Sequence, residues 1–179
     1  MNPTIAQQIK SIKLRIVETI IPELREDATF AREQAAFIVM SLDWLMLTHA
    51  HQYRYEVVEH LEYRDLLRQM STIGEADDNL LAEIRQALLA KGPAPEEASI
   101  PVDELILQTR RLKQLTARLF GSLCDQSEES AQAARQMLGE MSVKQGNREL
   151  AFFEGTGFTS SREKLGVLLG SSSDTAEHV

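Results

Sequence analysis

The stretch Phe37-Ile38-Val39-Met40-Ser41-Leu42-Asp43-Trp44-Leu45-Met46-Leu47 decides the fold. It lies inside residues 23–91, which contain no proline and, apart from Gly74, no glycine. So long a span without helix breakers reads as helix. The eleven residues are apolar on more sides than a surface helix needs, so they require packing partners in several directions. They are also too few to cross a bilayer, which takes about 20 apolar residues, and Asp43 sits among them.

Working outward, Asn2-Pro3 reads as an N-cap with proline at the first helical position. Ile5, Ile9, Ile12, Ile16 and Ile20 follow in one stripe, and Pro22 should end or kink that helix. Asp27 is the next expected cap, opening the helix that carries residues 37–47. From there two readings stand. An unbroken helix over 27–71 would be about 68 Å long, awkward for a compact monomer and natural for a dimer. A break near His49-Ala50-His51 is favoured.

Beyond Gly74, Leu80, Leu81, Ile84, Leu88 and Leu89 mark another helix, stopped by Gly92-Pro93. Residues 92–99 read as a linker. Ser99 is expected to cap a helix on which Leu105, Leu112 and Leu119 recur every seven residues. Asp125 to Glu128 has capping-box spacing and opens a last long helix through Ala131, Ala134, Leu138 and Met141. No strand-period segment appears. The expected fold is all-α, a single bundle of five or six helices over residues 1–158. Residues 159–179 read as a mostly flexible tail with a short helix over 162–169. The expected core is Ile9, Ile12, Ile16, Ile20, Phe37, Ile38, Leu45, Leu112, Leu119 and Leu138.

Composition bounds the function. The chain has 179 residues, of which 43% are hydrophobic and 26% charged, values that suit a folded domain. A formal net charge of −8 argues against nucleic acid as a partner. The lone Cys124 cannot form an intramolecular disulfide and fits a reducing compartment. The start shows no secretory-leader pattern. The expectation is a soluble, cytoplasmic protein with no membrane partner.

One region concentrates chemistry. Residues 49–64 hold three of the four histidines and all three tyrosines. On one helix His49, Tyr53, Glu56, His60 and Tyr63 would share a face and could bind a metal or small ligand. The plainer reading is a solvated or interface-lining polar face. Di-iron bundles use Glu-x-x-His on two helices, whereas Glu56 and His60 are one residue too far apart and no second pair exists. On the plain reading His60→Ala changes stability by about 0.5 kcal/mol at most. Arg111, Gln114 and Arg118 share a second face able to clamp an anion, or to pair with acidic residues such as Asp77, Asp78 and Glu83. Gly155-Thr156-Gly157 lacks the Gly-Lys-Ser/Thr ending of a phosphate loop and reads as a helix terminator. No catalytic set, metal set or cofactor is expected.

The segment Asp27-Ala28-Thr29-Phe30-Ala31-Arg32-Glu33-Gln34-Ala35-Ala36, with the later Tyr63-Arg64-Asp65-Leu66-Leu67, resembles a group of small all-helical bacterial proteins. Those proteins tend to accompany acyl-CoA dehydrogenase-like and phosphotransferase-like enzymes. The resemblance covers roughly the first 70 residues and implies no catalytic residue. It does draw attention to Arg32 and Gln34, as anchors of a helix end or as residues facing a pocket. Together these observations favour a non-catalytic interaction or accessory protein, forming a homodimer or joining a protein partner. The competing class is a bundle that binds a small ligand or metal near His49, Glu56 and His60, with Arg111 as a further contact.

Overall fold

The computed structural model describes residues 2–74, 76–93, 100–156 and 160–170. Among them there is no strand, and seven helices make up an all-α fold. They are α1 (Ile5–Arg15), α2 (Thr29–Thr48), α3 (Gln52–Met70), α4 (Asp78–Leu89), α5 (Val102–Cys124), α6 (Glu128–Phe153) and α7 (Leu165–Leu168). The helix favoured to break near His49 does so: residues 49–51 form a turn between α2 and α3. The chain divides into two compact units, Met1–Gln52 with Asn147–Val179, and Tyr53–Gly146.

In the first unit, α1 is capped by Thr4 rather than by Asn2. Its hydroxyl accepts from Gln7 N–H at 3.2 Å, while the Gln7 side chain accepts from Thr4 N–H at 2.8 Å. Pro22 does not stop the helix at once. It lacks an N–H and crowds the preceding turn, and the backbone widens to a π-helix over Ile16–Ile20 in which Ile21 N–H donates to Ile16 O. One more turn, Ile21–Glu23, follows before Leu24 becomes extended. Asp27 caps nothing; α2 starts after Ala28, and the Asp27 carboxylate accepts from Arg25 instead. Arg32 does anchor its helix end, donating to Leu24 O at 3.2 Å.

Helices α1 and α2, with the π-helix that follows α1, share a small core of Ile9, Ile16, Ala35 and Leu42, with Ile21, Leu24, Val39 and Met46 packed against it. Lys13 and Asp43 pair beside it. Five expected core residues are not in it: Ile12, Ile20, Phe37, Ile38 and Leu45 are each 40–52% exposed. The physical reason is geometric. At ~100° per residue, Ala35, Val39, Leu42 and Met46 form one arc of α2, whereas Phe30, Phe37, Ile38 and Leu45 form another centred about 120° away. A single partner helix covers the first arc only. The half-buried Trp44 finds a third set of neighbours. Its Nε1–H donates to Phe152 O at 2.8 Å, its ring stacks on Phe153, and Phe152 meets it edge-on. Gly155 lies so close that a Cβ there would stand 2.8 Å from Leu47 Cδ1 and 3.4 Å from Trp44 Cα.

The second unit has the larger core: Leu66, Leu67 and Met70 of α3, Leu80 and Ile84 of α4, Leu112, Leu115, Leu119 and Leu123 of α5, and Ala134 and Met141 of α6. The heptad leucines Leu105, Leu112 and Leu119 are all buried, and Leu138 packs against this core. Ala131 and Ala134 are almost fully enclosed, as small residues at a close helix contact should be. The last long helix starts two residues later than Asp125 suggested, because Ser127 Oγ accepts from Ser130 N–H at 3.1 Å. The expected Ser99 cap, most of the 92–99 linker and the tail from 171 lie outside the described residues. Within the tail, α7 forms four residues of the expected 162–169 helix.

The isoleucine stripe gives a direct check. Ile9→Ala, at a buried position, should cost about 2–4 kcal/mol. Ile12→Ala, half-exposed three residues away, should cost about 1 kcal/mol or less. Chemical denaturation of the two variants measures the difference.

Candidate functional site

The polar region 49–64 is split by the turn that separates α2 from α3. His49 belongs to the end of α2 and to the first unit. Its Nδ1–H donates to the carbonyls of Met46 at 2.9 Å and Leu45 at 3.2 Å, so that nitrogen is occupied by its own helix. Tyr53, Glu56 and His60 lie on α3 in the second unit, on one face as their spacing requires. Arg111 is exposed on α5. Its charge helps to hold the Glu83 carboxyl below the usual range, although the larger cause is the two-pronged hydrogen bond from Arg118, at 2.8 and 3.0 Å. The arginine face of α5 therefore pairs with Glu83, one of the acidic residues proposed for it.

The middle of α3 is not a solvated face. Glu59, His60 and Arg64 are all less than a tenth exposed, and His60 is 1% exposed. Residues 57, 60, 64 and 67 form the side of α3 turned inward, and two of those four carry ionisable groups. Periodicity in the sequence pointed there only weakly, because Val57 and Leu67 are separated by polar letters.

Each buried group has a specific neighbour. Thr109 Oγ1–H donates to Leu105 O at 2.9 Å, which uses its only proton. His60 Nδ1, 3.1 Å from that oxygen, must then be the donor, leaving Nε2 as a bare lone pair. Burial, and secondarily the charge of Arg64, lowers the His60 pKa to about 4. The ring is neutral at pH 7. Arg64 reaches the end of α4, its Nη1 donating to Ala90 O at 2.9 Å and its Nη2 to Leu88 O at 2.5 Å. A cation thus satisfies carbonyls that the helix end leaves unpaired, and at the pole where positive charge is favoured.

Glu59 Oε1 accepts from Lys113 Nζ at 2.8 Å and from Gln145 Nε2 at 3.1 Å. Tyr63 O–H donates to the Gln145 carbonyl at 3.3 Å, and Lys113 Nζ stands 5.2 Å from the centre of the Tyr63 ring. This network ties α3, α5 and α6 of the second unit together. Sequence reasoning missed Glu59, Lys113 and Gln145, which come from three helices with no local signature. Among the described residues no group of three or more His, Cys, Asp or Glu side chains is placed to hold a metal ion. Three buried polar atoms of this unit, Tyr53 Oη, His60 Nε2 and Gln108 Oε1, have no hydrogen-bond partner among the described residues.

The other unusual feature is apolar. Along α2, Phe30 is 73% exposed, and Phe37, Ile38 and Leu45 follow in the same arc at 52, 50 and 40%. Scattered exposed leucines are ordinary, but two phenylalanines and two branched aliphatics exposed along one arc hint at an interface. No described helix is long and apolar enough to cross a membrane. Comparison with family models, with curated proteins and with solved structures returns no match.

Two outcomes follow from the buried polar groups. His60 binds its proton more weakly folded than unfolded, so its contribution is complete above pH ~6.5 and is lost as pH falls toward 4. The loss should approach 2–3 kcal/mol, on the order expected for a shift of this size. Urea denaturation of wild type and His60→Leu between pH 7 and 4 should show that part of the acid slope disappearing in the variant. Separately, Lys113→Met should cost about 1–3 kcal/mol, the lower part of the range for a half-exposed partner of a buried carboxylate. Adding Glu59→Gln should recover much of that loss in a double-mutant cycle.

Proposed function

We propose that this chain is a non-catalytic helical interaction protein whose α2 face joins it to a protein surface. The observation that carries this reading is the stripe Phe30, Phe37, Ile38 and Leu45, which is left uncovered while a separate arc of the same helix packs against α1. Keeping two phenylalanines and two branched aliphatics in water is unfavourable by roughly 1–3 kcal/mol per side chain relative to burial. A partner that covers them recovers that free energy. The acidic net charge directs such a partner away from nucleic acid.

A second reading has one observation on its side. The unpartnered Tyr53 Oη, His60 Nε2 and Gln108 Oε1 would suit a small polar molecule held between α3 and α5.

The experiment that separates the two is a cross-linked pull-down from the native cell with wild type and Phe37→Glu as baits, alongside thermal shifts of the purified protein. The acyl-CoA dehydrogenase-like and phosphotransferase-like enzymes suggested by the resemblance belong among the candidate prey. The interaction reading expects a defined protein held by wild type and lost by the variant. It also expects melting temperatures unmoved by divalent metals, acyl-CoA or nucleotides. Equal capture by both baits, or a ligand-dependent rise of several degrees, would overturn it.

A further inference from the structure

Resting on that reading, we infer that the surface joined by the α2 face is the α2 face of a second copy of this chain, packed antiparallel about a two-fold axis between Phe37 and Ile38. The first ground is register. The residues of the exposed arc are Phe30, Gln34, Phe37, Ile38, Ser41 and Leu45. Their spacings are 4, 3, 1, 3 and 4, the same read in either direction. A two-fold interface requires one patch to complement itself: if residue i meets residue j, then j meets i. An antiparallel α2 pair meets that requirement from residue 30 to residue 45. Phe30 faces Leu45 of the partner subunit, Gln34 faces the partner's Ser41, and Phe37 faces the partner's Ile38.

Charge is compatible with self-association. The six residues are all uncharged, so the rotation brings no like charges together across the seam. Arg32 and Asp43 lie outside the arc, and Asp43 is already paired with Lys13.

Area is the third ground. Lys13 marks the flank of α1 that meets Asp43, so Ile12 and Ile5, on the other flank of α1, stand on the side of Leu45. With them the exposed apolar area is on the order of 500 Å². A standard interface covers about 800 Å² per partner, roughly 56–65% of it apolar, which calls for about 450–520 Å². The face is the size a dimer needs. At that size it ranks with the largest apolar patches of protein surfaces, which are often functional.

The test is the mass of the full chain by sedimentation at concentrations from about 1 to 100 μM, a range that spans interfaces of this size. Wild type should sediment as a dimer at the upper end. Phe37→Glu should weaken dimerisation by about 100-fold or more, because the two-fold axis places two unpaired carboxylates in an apolar seam. Ser41→Arg, at an exposed polar position where the fold has little to lose, should do the same, with an unchanged helical circular dichroism spectrum. In a Cys124→Ser background, Q34C chains mixed with S41C chains should cross-link to each other and not to their own kind.

A wild type that stays monomeric at 100 μM would overturn the proposal. So would a dimer indifferent to both substitutions, or cross-links that form only between like chains. If wild type is monomeric and Phe37→Glu still abolishes capture of some other protein, the second copy is refuted and the interaction reading stands. If neither property responds to the substitution, both fall.

Discussion

Helix α2 carries apolar side chains on two arcs, and one neighbouring helix can cover only one of them. That constraint organises the first unit. Ala35, Val39, Leu42 and Met46 set where α1 must lie, and Ile9 and Ile16 answer them from the other side. The result leaves Phe30, Phe37, Ile38 and Leu45 facing outward. Polar residues at those exposed positions would cost nothing in packing and would improve solubility.

The second unit is built on a different principle. Its core is extensive and its inward faces include charged groups, each answered by a partner: Glu59 by Lys113 and Gln145, Arg64 by the carbonyls at the end of α4. Such groups add little net stability against an apolar core of the same shape. Removing one partner is nevertheless costly, so they favour one arrangement of α3, α4, α5 and α6 over others. His60 lies beside these groups as a neutral ring, held through Nδ1 alone. Its neutral state at pH 7, its burial and its hydrogen bond to Thr109 fit a packing role.

Much of this was legible in the sequence because helices announce themselves by period. The heptad Leu105, Leu112 and Leu119 is buried as its spacing required, and the break at residues 49–51 falls where the histidines lie. Period also showed that the 37–47 run is apolar in several directions. What it could not supply is which arc receives the neighbour, since that depends on contacts between helices far apart in the chain. Hence Phe37, Ile38 and Leu45, expected in the core, lie at the surface. The 49–64 face failed for the converse reason. Polar letters read as solvent-exposed, whereas Glu59 and His60 are buried by partners 49 to 86 residues away. Caps shifted by two residues or fewer, Asn2 to Thr4 and Asp125 to Ser127, because neighbouring Ser, Thr, Asn and Asp compete for the same role.

The claim that α2 is completed by a second α2 is tested most directly by nuclear Overhauser contacts in a sample of mixed isotope-labelled and unlabelled chains. Within one chain, Phe30 and Leu45 are separated by about 22 Å along the helix, far beyond the reach of such a contact. The account predicts a strong intermolecular contact between the Phe30 ring and the Leu45 methyl groups, together with one between Phe37 and Ile38 across the axis. Absence of both at a concentration of about 100 μM, with the Phe30 ring open to a soluble paramagnetic probe, would contradict it.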